Sequence, residues 1–197
     1  MASARLPLWV KKSFTENDTT REVRRLLQTL ELNTVCKSAR CPNIWECYSS
    51  RRVTFMILGT RCTRSCRFCA VSKGKPQDVD SREPSRLSRA ARDMGLRFVT
   101  ITSVTRDDLR DGGASQFVDC ITELRRLDPC PGVEILVPDF GGDRSSCSLV
   151  LDACPDVFCH NVETVPRLYS AVRPGADYST SLKVLETAAG HSARVVI

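Results

Sequence analysis

The chain has 197 residues, with 29 Lys and Arg against 23 Asp and Glu, a formal charge of +6. Its composition, 42% hydrophobic and 26% charged, is that of a folded chain rather than a disordered one, and its length suits one domain with a short appendage. No apolar run approaches the ~18 residues of a membrane span, and no long block of like charge marks a nucleic-acid surface; a basic surface of that kind and a solvated face for an acidic partner are both compatible with +6.

Composition changes near residue 53, which divides an extension, 1–52, from a second unit, 53–197. The extension carries a polar start, an expected helix over 20–32 and a cysteine-bearing loop that ends at Cys47. Beyond it, apolar runs at 53–58, 98–102, 133–137, 157–159 and 194–197 read as strands. All but the third are nearly continuous in apolar or β-branched residues, which predicts strands buried on both faces. Helices are expected between them: one capped by Ser85 and stopped by Gly95, one capped by Ser115 and stopped at Asp128-Pro129, then 143–153, 165–172 and 179–189. Strands alternating with helices predict a parallel α/β sheet. The fifth run closes the chain, which leads to the expectation of an incomplete barrel with an open edge that promotes self-association.

Polar residues gather just after the strands. Gly59 and the segment from Cys62 to Cys69 follow the first, and Ser103, Arg106, Asp107 and Asp108 the second. Pro138-Asp139 follows the third, and His160, Asn161 and Glu163 the fourth. Parallel sheets bind ligands at this edge, so a shared site is expected there.

Leu6-Pro7-Leu8-Trp9-Val10 before Lys11-Lys12 is too short for a signal-peptide core of about 7–15 residues. The expected compartment is the reducing cytoplasm, where eleven cysteines call for a purpose other than disulfides. Cys120, Cys130, Cys147, Cys154 and Cys159 occur singly and read as small core residues; the spacing of Cys147 and Cys154 places both on one buried helix face. The other six form two triplets. Cys62, Cys66 and Cys69 have the spacing Cys-x3-Cys-x2-Cys, so one compact loop offers three thiolates. That is one ligand short of a closed zinc or four-thiolate site, and a [4Fe–4S] cluster so held keeps one iron open. Structural zinc with a fourth ligand from elsewhere is the physical competitor. Cys36, Cys41 and Cys47, spaced Cys-x4-Cys-x5-Cys, repeat the shortage. Of the two histidines, His160 and His191, neither lies near in sequence, and His160 reads as a hydrogen-bonded structural residue.

These residues resemble those of the lipoyl synthase family within the radical S-adenosylmethionine superfamily. The resemblance rests on TVCKSARCPNIWECY and TFMILGTRCTRSCRFCAV, with Phe68 before the last cysteine. It extends through LPLWVKK, ITSVTRDDLRDGGA, PDF and PDVFCHNVETVPRLYSAVRPGADYSTSL, spanning residues 6–185. It implies a partial (β/α)6 TIM-like radical SAM barrel, here lacking its C-terminal strand, behind an N-terminal cysteine-bearing extension. It implies two [4Fe–4S] clusters: one on Cys62, Cys66 and Cys69 that chelates S-adenosylmethionine, and an auxiliary one on Cys36, Cys41 and Cys47 that is consumed as the sulfur source. Ser103, Asn161, Glu163 and Arg173 are then candidates to contact S-adenosylmethionine, and Arg106, Asp107 and Asp108 to line the substrate channel. The implied reaction is sulfur insertion at carbons 6 and 8 of an octanoyl chain on a carrier-protein lysine. The implied partners are octanoylated carrier domains, the 2-oxoacid dehydrogenase E2 and the glycine cleavage H protein, and an electron donor such as ferredoxin or flavodoxin, with no nucleic acid and no membrane. A truncated, inactive or partner-dependent form and a non-enzymatic metal-binding module are the alternatives.

The chain departs from the family pattern at Thr60, where an acidic residue is usual, at Ser50-Arg51-Arg52 and at Tyr48. The match fades after Leu182, and the family's C-terminal Arg-Ser-Ser-Tyr-like segment, whose serine is the auxiliary cluster's fourth ligand, has no counterpart here. Arg144-Ser145-Ser146-Cys147 is similar only superficially and takes no such role.

Overall fold

The computed structural model describes residues 16–191; the matching segment 6–12 and the expected strand 194–197 lie outside them. Helix α1 (Asp18–Thr29) starts where the Asn17 side chain accepts the Thr20 N–H, and it buries Thr20, Val23 and Leu27 at helical spacing. Two short helices follow, α2 (Val35–Ser38) and α3 (Ile44–Ser49). Arg24 of α1 lies over the Trp45 ring, 5.5 Å from its centroid. The chain then runs β1 (Thr54–Ile57), β2 (Arg61–Cys62), β3 (Ser72–Lys73), α4 (Glu83–Asp93), β4 (Phe98–Ser103), α5 (Ala114–Arg125) and β5 (Gly132–Leu136). After a 3-10 turn at Phe140–Gly142 come α6 (Arg144–Asp152), β6 (Val157–Cys159), a second 3-10 turn at Pro166–Leu168, α7 (Tyr169–Val172) and α8 (Tyr178–Ala189).

The main sheet is parallel, in the order β1-β4-β5-β6, while β2 and β3 form a separate two-stranded bridge. Ile57 pairs with Ser103, Thr102 with Leu136, and Leu136 with Cys159, so the strand ends lie in one row. Phe55, Ile57, Val99, Ile101, Val133, Ile135 and Phe158 form the fully buried face; they share one core with Leu87, Phe117, Ile121, Leu124, Val150 and Leu151 of the helices.

The opposite face bears out the expectation of strands buried on both sides only in part, for on it Met56 and Thr102 are buried. Thr54, Thr100, Glu134 and Cys159 are only half-buried, and they are linked: the Thr100 hydroxyl and the Cys159 thiol both reach the Glu134 carboxylate, at 3.2 and 3.6 Å. This face is the side of the four described strands away from the helical core, where polar side chains keep polar partners. Runs rich in threonine satisfy a half-buried strand as readily as a buried one, which is why the sequence pattern misled.

Helix starts also differ from expectation. Helix α4 begins before Ser85, at Glu83-Pro84, and the Ser85 hydroxyl bonds back to the Arg82 carbonyl at 2.9 Å. Helix α5 starts behind Gly113, and Ser115 gives its N–H to Asp111 at 2.8 Å. The single helix expected over 165–172 is split by the turn at Pro166. Among the single cysteines, Cys120 and Cys147 are buried, but Cys130 and Cys154 are exposed. Cys154 lies past the end of α6 with φ +53°, off the helix face expected to bury it.

Candidate functional site

The site is built on the turn that leaves β1. Leu58 and Gly59 both have positive φ, +68° and +92°, a conformation that costs a leucine strain unless its surroundings hold it. Here they do. The Leu58 N–H donates to Glu83 Oε2 at 3.0 Å, and its carbonyl accepts from Arg106 Nη1 at 3.2 Å. The φ of +92° favours glycine at residue 59, and a side chain there would also displace Gln77 Oε1, 2.6 Å from its Cβ. Gln77 in turn exchanges hydrogen bonds with the Thr60 N–H and hydroxyl, at 3.3 and 3.0 Å.

The cysteine loop follows at once. The β2–β3 bridge frames it, with Gly74 N–H on the Cys62 carbonyl at 3.1 Å. Inside the loop, Arg64 is the anchor. Its guanidinium grips Asp107 through Nε and Nη2, at 2.9 and 2.7 Å, and Asp139 through Nη1 and Nη2, at 2.5 and 2.7 Å. Its side chain is 7% exposed and that of Asp139 is 1% exposed. Burial favours neutral forms at both, yet the paired carboxylates raise the Arg64 pKa and Arg64 lowers that of Asp139. The Thr63 hydroxyl adds bonds to the Thr105 carbonyl and Asp107, at 3.0 and 2.8 Å.

Each candidate residue has a definite place. Arg106 is buried and holds Asp108 by two bonds, at 2.9 and 2.8 Å, in addition to the Leu58 carbonyl; that hydrogen bonding lowers the Asp108 pKa. Asp107 is committed to Arg64 and Thr63. Arg173 is buried and gives Nη1 to the Asn161 carbonyl at 3.0 Å and to Tyr169 and Ser181 at 3.3 Å. Its charge also acts on the Cys66 thiol, favouring the thiolate, while the Arg67 N–H reaches the Val172 carbonyl at 2.9 Å. Asn161 Nδ2 donates to Glu163 at 3.1 Å, and Glu163 has φ +68°. Arg173 therefore draws the cysteine loop and the Asn161–Glu163 segment together.

Within this edge, two buried polar atoms have no hydrogen-bond partner: Ser103 Oγ and His160 Nε2. His160 Nδ1 lies 2.9 Å from the Val137 carbonyl, an acceptor, so Nδ1 carries the proton and Nε2 presents a lone pair. Burial lowers the His160 pKa and keeps the ring neutral. Orphaned polar atoms of this kind are where a polar ligand is expected.

The second triplet lies at the other end of β1. Cys36 lies by Thr54, at the strand's start, whose N–H is close enough to favour its thiolate, and Cys41 and Cys47 are close enough to act on it electrostatically. Four residues of strand, roughly 13 Å, separate this end from the turn at Leu58. An open cleft of ≈ 650 Å³ runs along Cys36 and Cys47, bordered by Arg51, Arg52, Thr54, Arg97 and Thr100. Burial raises the Cys36 and Cys66 thiols, and neighbouring cysteines raise them further. Among the described residues, no three His, Cys, Asp or Glu side chains close around a single metal ion. The two triplets nevertheless each offer three thiols, the donor type that iron–sulfur clusters take. With the two orphaned atoms nearby, the residues present fit an iron–sulfur centre and a polar cofactor. The superficially serine-like segment at 144–147 is used elsewhere: Ser145 and Ser146 bond to Asp143, and the Cys147 thiol packs toward the Val184 carbonyl.

Sequence reasoning named Asp139 only as a strand-end residue and gave Arg64 no role, although its position inside the triplet was a usable signal. It set His160 aside as structural; its Nδ1 bond fits that reading, but the free Nε2 goes beyond it.

The family model of the radical SAM superfamily matches residues 56–197. Lipoyl synthase of Caldicellulosiruptor saccharolyticus is 50% identical over 188 residues, covering 95% of this chain and 66% of its own length. That of Caldanaerobacter subterraneus subsp. tengcongensis is 55% identical over 184 residues, covering 93% and 64%; that of Rubrobacter xylanophilus is 54% identical over 182, covering 92% and 57%. The chain thus spans 57–66% of the length of these curated relatives. Two solved structures share the fold: methylornithine synthase (TM-score 0.52, 18% identity, 87% of this chain and 52% of that one) and HydG, a maturase of the [FeFe]-hydrogenase (0.53, 13%, 89% and 38%). No helix among the described residues is long and apolar enough to cross a membrane. The chain belongs to the radical SAM superfamily, closely related to lipoyl synthases, and that membership implies S-adenosylmethionine and iron–sulfur chemistry.

Proposed function

We propose that this chain carries the catalytic core of a lipoyl synthase, inserting two sulfur atoms into an octanoyl group on a carrier-protein lysine. What carries the reading is the placement of two three-cysteine sets at opposite ends of one strand, in a chain 50–55% identical to lipoyl synthases. Cys62, Cys66 and Cys69 would hold the cluster that binds S-adenosylmethionine; Cys36, Cys41 and Cys47 would hold the auxiliary one. When bound, these groups supply hydrogen abstraction from unactivated carbon and the sulfur that replaces it.

The protein's own part is placement. Glu83 and Arg106 fix the turn, Arg64 fixes the loop, and Ser103 Oγ and the His160 Nε2 lone pair offer hydrogen bonds to S-adenosylmethionine. Asn161, Glu163 and Arg173 close the same edge. The half-buried face of Thr54, Thr100, Glu134 and Cys159 runs between the two cysteine sets and would guide the acyl chain from one to the other. Octanoylated E2 and H-protein domains are the proposed substrates, with a ferredoxin or flavodoxin as reductant.

The test is an anaerobic single turnover of the reconstituted chain with S-adenosylmethionine, reductant and an octanoyl-lysyl peptide, read by mass. A peptide carrying two new sulfurs is the expected product. Release of 5′-deoxyadenosine without sulfur in the peptide would overturn the sulfur-insertion reading. Ser103→Ala is expected to weaken S-adenosylmethionine binding about five- to tenfold, the loss of one net hydrogen bond, read by equilibrium dialysis.

A further inference from the structure

Resting on the reading that Cys62, Cys66 and Cys69 hold a cluster, we infer that Arg64 is a positioning residue that sets that cluster's reduction potential. It does so by fixing a hydrogen bond to one of the ligands. The residue acts at two places. Its backbone N–H points at the Cys62 sulfur, 3.4 Å away. Its guanidinium, between Asp107 and Asp139, uses five hydrogen bonds to lock the same residue to the loops that follow β4 and β5. The loop is also held at Thr63, whose N–H and hydroxyl reach the Thr105 carbonyl at 3.1 and 3.0 Å, and at Arg67, whose N–H reaches the Val172 carbonyl at 2.9 Å, but Arg64 both aims an N–H at a cysteine sulfur and ties itself to the sheet edge through its side chain.

An N–H aimed at a thiolate sulfur stabilises the more negative, reduced state of a cluster and raises its potential. The strength of that bond depends on holding the amide in line, and the doubly bidentate guanidinium does the holding. Two carboxylates present flat, two-oxygen faces that match the planar fork of arginine; a lysine keeps the charge but cannot match both. The ion triad therefore reaches the iron through geometry rather than through its own charge.

The test compares wild type with Arg64→Lys and Asp107→Asn. Asp107 is substantially exposed, 40% for its side chain, so its variant should fold even if the first does not. Two readouts are taken: alkylation rates of each cysteine in the iron-free chain, mapped by mass, and the potential of the cluster whose paramagnetic signal responds to S-adenosylmethionine. For Arg64→Lys the expectation is a roughly tenfold faster alkylation of Cys62, with exposed Cys130 unchanged. The reduction equilibrium should also fall about tenfold, which is 59 mV for one electron. Asp107→Asn should move both readouts the same way but less, because Asp139 still holds. Unchanged values in both variants overturn the inference, and so does faster alkylation at an unaltered potential, which would leave Arg64 only a structural brace. A wild-type chain that takes up no iron at these cysteines sinks the functional reading and the inference together, whereas iron uptake with unaltered variants sinks the inference alone.

Discussion

The carboxyl group of Glu83 sits beneath the Leu58–Gly59 turn, 5% exposed, and accepts the Leu58 N–H and the Gln116 amide. Burial raises its pKa above the ordinary glutamate value, and the two donors only partly offset that. Its stabilising contribution is therefore complete below the ordinary value and is lost as pH rises through the raised one. Glu83→Gln keeps one carbonyl oxygen for both donors and removes the ionisation. The expected outcome is a stability difference that moves in the variant's favour between pH 5 and pH 7.5, measured by urea unfolding at both. A difference independent of pH would show that Glu83 ionises as freely in the fold as outside it. The same turn constrains α5: a Cβ on Gly113, at φ +91°, would stand 2.3 Å from Leu58 Cδ1. Gly113→Ala is expected to cost about 2 kcal/mol, through overpacking and a conformation alanine resists, read as a lowered melting temperature.

At the scale of the element, helix α6 hangs on its cap. Asp143 accepts the Ser145 and Ser146 N–H groups and both their hydroxyls, which pulls its pKa down to about 2. A lowered pKa means the contribution is present above the ordinary aspartate value and disappears as pH falls toward 2. Asp143→Ala is expected to cost about 1 kcal/mol at neutral pH, with Asp143→Asn costing less, and the gap to wild type should close below pH 3 in denaturant titrations. The sequence places this helix at 143–153, which counts Asp143 inside the helix that it in fact caps. The caps of α4 and α5 were not legible, since Ser85 and Ser115 resemble caps but lie inside helices opened by Pro84 and Gly113. The four core strands were legible from their apolar runs, whereas β2 and β3, at two residues each, carry no periodicity to detect.

Across the whole molecule, the six cysteines declared the site, but what aims them was hidden by distance. Arg64 meets Asp107 and Asp139 43 and 75 residues away, and no local pattern predicts such a meeting. The same distance separates the two cysteine sets in kind. One is clamped to the sheet's C-terminal edge by Arg64, paired to buried Asp139 and to the more exposed Asp107. The other sits on α2 and α3, helices of four and six residues too short to persist alone, and on the turn between them. These join the sheet through the Met56 N–H on the Asn33 carbonyl, 2.9 Å, and the bridge from Thr34 to Phe55, with Tyr48 and Thr34 sharing a buried bond at 2.9 Å. Binding energy at Cys36, Cys41 and Cys47 should therefore appear as order in this segment, because ligation links three points of a weakly held backbone. Amide exchange across α2 and α3 is expected to slow at least ~tenfold when the iron-free chain is reconstituted, while β4 and β5, held by the core, change little. Replacing the three cysteines with serine should abolish the slowing without touching the sheet. Equal protection before and after reconstitution would mean that this triplet does not ligate iron, and that the sulfur-donating half of the proposed reaction lies elsewhere.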